Sequence, residues 1–482
     1  MNAEVLKNLV ELFQKKQFTE VLKMAGPIIG QSPNDLTALN IFSASAAFTG
    51  QFQLAENFLK RGLAIDSGHA ELNNNLGNVL LRQEKYAESV KYFEQAIKTQ
   101  PENSNFYNGL GASLLLLDRI KESEQILKTA MTLEPKNPDV HYNTGAMFWE
   151  KGCTKDAQEC CLKALSLNPS LEKATALMIR TFESHSPDEC IDFPTVIANQ
   201  KIRKINLGRD IKKRMSESNI TTILEHAESI LTSHGQRINY PETQVYRRDL
   251  TRLNCSRHER IFNERSIIPK FCFGCFKVQV EPRTVVELIK LFLLFDWIVL
   301  KANNTRKCMV ELRDGVSGFY KGLIYCSSLN EAESIHSSVS TYVSELIDRN
   351  VPCSIKRGCS EFSQAYPEYG FRDKTDEFSL MDYPNEWEAI ENAYDADHYS
   401  DRPLQGAPTL KGFSLSDFLI IKNWIGYARG IGDPSVAGFS LQRIGSNRLL
   451  EPAAKRKAKL LSDRQPKIAS YPAYNIKPIT IS

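Results

Sequence analysis

Residues 75–101 have the sequence NLGNVLLRQEKYAESVKYFEQAIKTQP, and the pattern of this stretch recurs through the first third of the chain every 34 residues. The most visible markers of the period are Pro33, Pro101, Pro135 and Pro169, with Ser67 in the remaining place. Small residues occupy one packing position of the first apolar segment in each period, at Ser43, Gly77, Gly111 and Gly145. A fixed period of this length predicts stacked helix–turn–helix units that bury their apolar faces against one another.

Two further series of small residues keep the same period and fall in the second apolar segment of each unit. The first series consists of Ala55, Ser89, Ser123 and Ala157. The second consists of Gly62, Ala96, Ala130 and Ala164. Because the side chains at a contact set the distance between two helices, small residues at these points predict close packing of neighbouring helices.

The pattern closely resembles that of the tetratricopeptide repeat (TPR) family, and residues 75–101 carry nearly all of it. The resemblance implies an all-α solenoid over residues 1–184, made of five repeats and a capping helix at 171–182 that covers the last apolar face. In the first repeat Val21 and Ile28 replace small residues, so we expect this repeat to be irregular.

The TPR resemblance also implies a partner, because such arrays bind peptide segments or proteins in the groove lined by the first helix of each repeat. By repeat position, the residues that face this groove are Asn74, Asn78, Asn105, Asn108 and Tyr142. Asparagine offers both donors and an acceptor, so a row of asparagines can hold an extended peptide backbone. The alternative is that these residues are ordinary polar positions on the surface of a solenoid.

The composition indicates a cytosolic protein. A net charge of +3 predicts no strong electrostatic field toward nucleic acid or an anionic membrane. The first residues, MNAEVLKNLVELF, predict an amphipathic helix and lack the basic region and cleavage site of a signal peptide. Eleven cysteines without a targeting segment fit a reducing compartment better than a disulfide framework.

Residues 255–365 predict a second domain with a cysteine-rich ferredoxin-like fold and helical additions. Four strand-like segments, at 277–282, 308–313, 319–326 and 352–359, alternate with apolar helical segments in the order β-α-β-β-α-β. The helix at 284–297 is too short to cross a membrane. Residues 185–254 are predicted to be a helical connector, 366–450 a mixed helical and loop extension, and 451–482 a basic tail.

Right-handed crossovers would place the starts of the first two predicted strands at the same edge of the sheet as the ends of the last two. The cysteines expected at that edge are Cys272, Cys275, Cys308, Cys326 and Cys359. Thiolates from several segments in one place are the ligands that zinc and iron–sulfur clusters prefer, so we expect one of these cofactors here. The alternatives are buried structural cysteines or redox-active thiols.

A second set of possible ligands competes with the first. Cys255 and His258 precede Cys272 and Cys275 as two short chelating pairs, and this spacing is typical of a zinc site. If the centre is catalytic, Lys356 and Arg357 are candidates for holding an anion near the thiols, and His258 is a candidate proton donor. The sequence contains no P-loop, dinucleotide fingerprint or nucleophile elbow that would define a reaction.

These features lead to one principal hypothesis and two alternatives. The principal hypothesis is a TPR protein that holds a partner polypeptide and carries a cysteine-ligated metal or iron–sulfur centre. The first alternative is a non-catalytic interaction scaffold with structural cysteines or a structural zinc. RNA binding by the sheet is less favoured, because KVQVEP at 277–282 lacks the aromatic pair that stacks on bases.

Overall fold

The computed structural model of the chain describes residues 3–188, 191–208, 210–233, 238–248, 253–313, 316–370, 381–398, 408–437 and 444–463. The chain forms two compact units. The first contains residues 1–190, 250–270 and 383–408, and the second contains 191–249, 271–382 and 409–482. Both units are therefore assembled from separated stretches of the chain.

The repeat segment of the first unit consists of paired helices. These are α1 Ala3–Gln14, α2 Phe18–Lys23, α3 Ala25–Gln31, α4 Leu36–Phe48, α5 Phe52–Ile65, α6 Ala70–Arg82, α7 Tyr86–Thr99, α8 Ser104–Leu116, α9 Ile120–Leu133, α10 Pro138–Glu150, α11 Thr154–Leu167 and α12 Glu172–Thr181. From α4 onward, each first helix has 13 residues and each second helix has 14, up to the capping helix α12. The second helix of the first repeat is divided into α2 and α3, so this repeat is irregular.

The remaining elements follow in chain order. They are α13 Pro194–Arg203, α14 Ile211–Arg214, α15 Glu217–Ser233, β1 Gln244–Arg247, α16 Cys255–Arg265, α17 Lys270–Phe273, β2 Phe276–Val280, α18 Val285–Trp297, β3 Arg306–Val310, β4 Tyr320–Cys326, α19 Leu329–Leu346, β5 Cys353–Arg357, α20 Ser360–Ala365, α21 Asn385–His398, α22 Leu415–Ile431 and α23 Leu450–Asp463. Among the described residues, no helix combines the length and the apolar character that a membrane crossing requires.

Small residues inside the repeats permit the close helix packing that the sequence predicts. The ring of Phe93 on α7 lies between Gly77 on α6 and Gly109 on α8, and a Cβ atom at either glycine would approach the ring to within 3.0 Å. Phe93 is itself fully buried. Because interiors are close-packed, a methyl group at Gly109 would have to displace an aromatic ring that has no free space around it.

The turn inside each repeat uses one left-handed residue, and its position also follows the 34-residue period. The residues concerned are Lys16, Gly50, Glu84, Asp118 and Gly152, with φ values between 58° and 78°. Each turn therefore needs a positive φ, which glycine adopts at little cost and other residues adopt only with strain. The next first helices begin at side-chain N-caps, provided by Asp35, His69, Asn103 and Asn137.

The turn geometry leads to a prediction with a matched control. Gly50 has a φ of +78° and open space around the Cβ position, so Gly50→Ala adds backbone strain without a clash. We expect a loss of about 1–2 kcal/mol in the free energy of unfolding. Gly30 on α3 also has open space but no positive φ. Gly30→Ala should stabilise the protein by about 0.5–1 kcal/mol. Urea denaturation measures both, and stabilisation by Gly50→Ala would contradict the assignment of the turn.

The second unit contains a five-stranded antiparallel sheet in the order β1-β3-β4-β2-β5. Strands β2 to β5 correspond to the four predicted strands, with ends that differ by up to three residues. Strand β1 lies in the segment predicted to be a helical connector, and it pairs with β3 through Val245 and Cys308. Helices α18 and α19 pack on one face of the sheet, because Leu291 and Phe295 of α18 lie against Gly322 of β4.

Two buried ion pairs of Arg247 join three elements of the second unit. Arg247 of β1 donates to Asp296 of α18 at 2.7 Å and to Asp417 of α22 at 3.1 Å. Asp417 also completes a capping box with Ser414 at the start of α22. Removing one partner of such a buried pair usually lowers the free energy of unfolding by about 3–5 kcal/mol. These contacts therefore strongly favour this arrangement of the three elements. The helix α22 lies in the stretch predicted to be a mixed extension.

Candidate functional site

Asparagine side chains link successive first helices of the repeats. Asn75 on α6 donates to Asn40 on α4 at 2.7 Å, and Asn143 on α10 donates to Asn108 on α8 at 2.8 Å. Asn74 donates to its neighbour Asn75 at 3.3 Å. We call these five residues the amide ladder. The 34-residue period places Asn40, Asn74 and Asn108 at equivalent positions, and the sequence names the last two as groove residues.

The hydrogen bonds within the amide ladder leave specific groups available. The side-chain oxygen of Asn74 is buried and accepts no hydrogen bond from the described residues. Asn108 uses its oxygen to accept from Asn143, which leaves its amide hydrogens as donors. An unpaired buried acceptor is costly, so the Asn74 oxygen is suited to a ligand that supplies an N–H group.

The other three predicted groove residues lie on the same first helices. Asn78 on α6 and Asn105 on α8 are exposed, and Asn105 accepts a hydrogen bond from Asn137 at 3.3 Å. Tyr142 on α10 is half-buried, and its burial raises the pKa of the phenol. The ammonium group of Lys173 stands over the ring of Tyr142, 4.6 Å from its centroid.

Cationic side chains of the capping helix α12 are functional candidates that the sequence analysis missed. Lys173 forms an ion pair with Asp139 at 2.6 Å, and Arg180 stands 5.3 Å from the centroid of the Trp149 ring. Both contacts join α12 to α10. The signal that could have identified Lys173 is the series Asn105, Asp139 and Lys173, which continues the repeat period into α12.

Two helices from distant parts of the sequence also belong to the first unit. On α16, Arg260 donates to the carbonyl oxygen of Leu116 at the end of α8 at 2.9 Å and forms an ion pair with Asp118 in the turn that follows. Arg257 on the same helix pairs with Glu391 of α21 at 2.7 Å. The predicted linear division of the chain did not anticipate these contacts, because each spans more than a hundred residues.

The register of the sheet separates two of the cysteines predicted to meet at its edge. Cys308 lies in the middle of β3 opposite Gly322, whereas Cys326 ends β4 opposite Phe276. The four residue steps from 322 to 326 span about 13 Å along a strand, so Cys308 and Cys326 do not share a coordination sphere. The prediction placed Cys308 at the start of its strand, but the strand begins two residues earlier, at Arg306.

Cys359 lies on the opposite side of the sheet from Cys326, and Cys272, Cys275 and Cys359 all lie near Tyr369. The sulfur of Cys359 is 3.3 Å from the ammonium nitrogen of Lys277. Lys277 and Cys326 leave opposite faces of the sheet, because Lys277 pairs with Tyr325 and neighbouring residues alternate. Cys272 and Cys275 are both buried near the start of β2. The register therefore does not place the five thiols in one shell.

Within the described ranges, none of the ten cysteines is in a disulfide, and no group of three or more His, Cys, Asp or Glu side chains is arranged to hold a metal ion. In the alternative zinc set, Cys255 is exposed and His258 is buried on α16 of the first unit, while Cys272 and Cys275 belong to the second unit.

Lys356 and Arg357 were predicted to act together but leave opposite faces of β5. The Arg357 guanidinium stacks on Phe273 and Tyr369 and donates to their carbonyl oxygens, so it supports the loop before β2. Lys356 lies directly across the β2–β5 pair from Lys277. Burial and the neighbouring Lys277 and Lys321 ammonium groups lower the pKa of Lys356 to about 8.

Comparisons with known proteins agree with the repeat structure. A family model described as tetratricopeptide repeat matches residues 74–138, so the chain contains a TPR segment. No curated protein matches the chain.

Several solved structures are similar to the repeat segment. MamA 41-end from Desulfovibrio magneticus RS-1 is 21% identical, with a TM-score of 0.32 over 35% of this chain and 96% of that one. A thermophilic TPR protein of Thermus thermophilus is 19% identical, with a TM-score of 0.33 over 36% and 96%. YrrB, described as a TPR protein with an unusual peptide-binding site, is 19% identical, with a TM-score of 0.28 over 44% and 94%.

The positions of the thiols predict which cysteines react with an alkylating reagent. Cys255 is exposed, whereas Cys308 and Cys326 are buried. Burial also raises the pKa of Cys308, and it raises that of Cys326 to about 12, which suppresses the reactive thiolate. In native protein treated with iodoacetamide at pH 8, we expect mass spectrometry to find Cys255 modified first and the other two protected.

Two controls accompany this measurement. Cys308 and Cys326 should become modified once urea unfolds the protein. A chelator should leave the native pattern unchanged, because the register excludes a shared metal shell for these two thiols. Release of reactive Cys308 and Cys326 by the chelator would contradict the described geometry and favour a metal-held cage.

Proposed function

We propose that the first unit is a protein-interaction module that binds an extended segment of a partner polypeptide along the first helices of its TPR array. The observation that carries this proposal is the amide ladder. Asn74 offers an unpaired acceptor, and Asn108, one repeat further, offers donors. An extended peptide presents N–H and C=O groups along its backbone, so it can satisfy both positions at once.

The chemistry of the ladder favours recognition of the peptide backbone over its side chains. Amide groups carry no net charge and match N–H and C=O groups that every peptide has. Exposed Asn78 and Asn105 extend the polar surface on α6 and α8, and Tyr142 adds an aromatic face on α10. The expected ligand is therefore a segment without regular structure and with few sequence requirements at the ladder itself.

We also infer that the second unit has a ferredoxin-like fold with an added edge strand. The order β3-β4-β2-β5 and the β-α-β-β-α-β sequence of elements support this inference, and β1 extends the sheet beside β3. An iron–sulfur cluster or zinc remains a prediction from the cysteine pattern alone. Metal analysis of protein purified without oxygen tests it, and near one equivalent of iron or zinc would support it.

The proposed interaction is testable with a selected peptide. A ligand is chosen from a library of random peptides on the full-length protein, and its affinity is measured by fluorescence anisotropy. We expect Asn74→Ala with Asn108→Ala to weaken binding about tenfold or more, because two hydrogen bonds to the ligand are lost. The matched control is Asn57→Ala on α5, an exposed asparagine of a second helix, which should leave affinity unchanged.

Modified peptides separate backbone recognition from side-chain recognition. Methylation of the peptide nitrogen that donates to Asn74 should weaken binding as strongly as Asn74→Ala, whereas alanine replacement of the peptide side chain at that residue should have little effect. The variant proteins are first checked for an unchanged circular dichroism spectrum. Unaltered affinity in the double variant, or equal tolerance of methylation at every peptide nitrogen, would contradict the proposal.

A further inference from the structure

Three large apolar side chains of the second unit are exposed together near the end of α18. Trp297, the last residue of this helix, is 37% exposed, and its ring makes an edge-to-face contact with the ring of Tyr342 on α19, with 5.8 Å between the centroids. Val299, two residues beyond Trp297, is 83% exposed. We call these three residues the apolar patch. Apolar side chains gain free energy when they leave water, so neighbouring exposed ones indicate an interaction site.

The backbone that carries the apolar patch is held in place by Arg306 of β3. The buried guanidinium group donates to the carbonyl oxygens of Phe295 and Ile298 at 2.6 and 2.8 Å, which the end of α18 leaves without helical partners. Arg306 also donates to the side chain of Asn303 at 2.9 Å. Ile298 itself is buried. Val299 is therefore exposed on a turn that is fixed from both sides.

The short basic helix α14 lies beside the same end of α18. Arg214, the last residue of α14, is 3.8 Å from Asp296, which is next to the end of α18. Glu217, three residues later, is 3.8 Å from Lys290, about 9 Å earlier along α18. The chain from α14 into α15 therefore runs antiparallel to α18. The residues that precede Arg214 consequently lie beside or beyond the end of α18.

Exposed lysines give this end of the unit a local positive charge. Lys212 and Lys213 precede Arg214 on α14, and Lys301 follows Val299 by two residues. All three lysines are exposed. The net charge of the whole chain is only +3, so any attraction of anions here depends on this local concentration.

Four acidic residues near this end of α18 have partners within the protein. They are Asp210, Glu217, Asp296 and Glu331. Glu333 and Glu345 of α19 are exposed. Glu333 is about two and a half turns from Tyr342, so it leaves the opposite side of α19. Arg283 before α18 pairs with Asp348 after α19 at 3.1 Å, so Glu345 lies toward the start of α18 and away from Val299.

From this arrangement we propose that the apolar patch and the three exposed lysines bind the surface of a membrane that contains anionic lipids. Trp and Tyr side chains favour the level of the lipid headgroups, and lysines are attracted to anionic headgroups. Val299 would enter the boundary between headgroups and acyl chains. A side chain that is 83% exposed contacts little of the protein around it, so it projects from the surface instead of lining a groove. This shape favours a lipid surface over a peptide or a nucleic acid strand.

The site is tested by co-sedimentation of the full-length protein with lipid vesicles. Vesicles of phosphatidylcholine and phosphatidylserine should bind the protein, and vesicles of phosphatidylcholine alone should bind it much more weakly. Lys212→Gln with Lys213→Gln should weaken binding to the anionic vesicles about 30-fold, because two attractions to the headgroups are lost. The matched control is Lys91→Gln with Lys98→Gln, which removes the same charge from exposed positions of α7 and should leave binding unchanged.

A second pair of variants tests the apolar part of the site. Val299→Ser should weaken binding to the anionic vesicles about tenfold, because the valine side chain no longer leaves water on binding. Ile65→Ser replaces an exposed apolar residue at the end of α5 and should leave binding unchanged. Circular dichroism spectra identify any variant that does not fold.

A measurement on wild-type protein covers the case in which a variant does not fold. Vesicles with brominated acyl chains quench the fluorescence of a tryptophan that reaches them. Trp297 is exposed, whereas Trp387 and Trp424 are buried. We therefore expect partial quenching by brominated anionic vesicles, and high salt should weaken it because the lysines are then screened.

Four results would overturn the proposed site. The first is equal binding, or no binding, to anionic and neutral vesicles. The second is an equal loss in the Lys91 and Lys98 variant, which would show general attraction of charge. The third is unchanged binding of Val299→Ser. The fourth is tighter binding of a single-stranded RNA that depends on Lys212 and Lys213, which would assign this surface to nucleic acid. None of these outcomes bears on peptide binding by the first unit, which is measured independently.

Discussion

Close contact between helices at small residues is the constraint on which the repeat array depends. Phe93 fills the space between Gly77 and Gly109, and the remaining glycine and alanine positions recur with the same 34-residue spacing. Because each repeat has the same dimensions, side chains 35 residues apart on successive first helices, one residue beyond the equivalent position, come within hydrogen-bonding distance. The contacts Asn75 to Asn40 and Asn143 to Asn108 are direct consequences of this regular stacking. Packing inside the solenoid thereby determines the chemistry of its first-helix surface.

In the second unit the comparable constraint is the alternation of side chains along each strand. It places Cys308 and Cys326 on the face that packs against helices, where burial keeps both thiols protonated. The same alternation directs Lys277 and Lys356 to the other face. The register of the strands thus separates Cys308 from Cys326 and places Lys277 directly opposite Lys356.

The sequence was most informative where the pattern is periodic. The repeat helices, the irregular first repeat and the four strands β2 to β5 follow from local signals such as the recurring prolines and the alternating strand segments. The sequence analysis did not identify strand β1 because the strand has only four residues, QVYR. Its single aliphatic residue, Val245, does not produce an alternating strand pattern. The contacts of Arg260 with Asp118 and of Arg247 with Asp417 join residues far apart in the sequence, so no local sequence pattern predicts them. The separation of Cys308 from Cys326 could not be predicted because strand order does not determine register, as the place of Cys308 within β3 shows.

Hydrogen–deuterium exchange of the full-length protein, with and without a selected peptide, tests most directly whether the first helices form the binding surface. Peptide binding at the amide ladder predicts slower exchange in α6, α8 and α10, with little change in the second helices α7 and α9. Protection confined to α7 and α9, or to residues outside the repeat segment, would contradict the account.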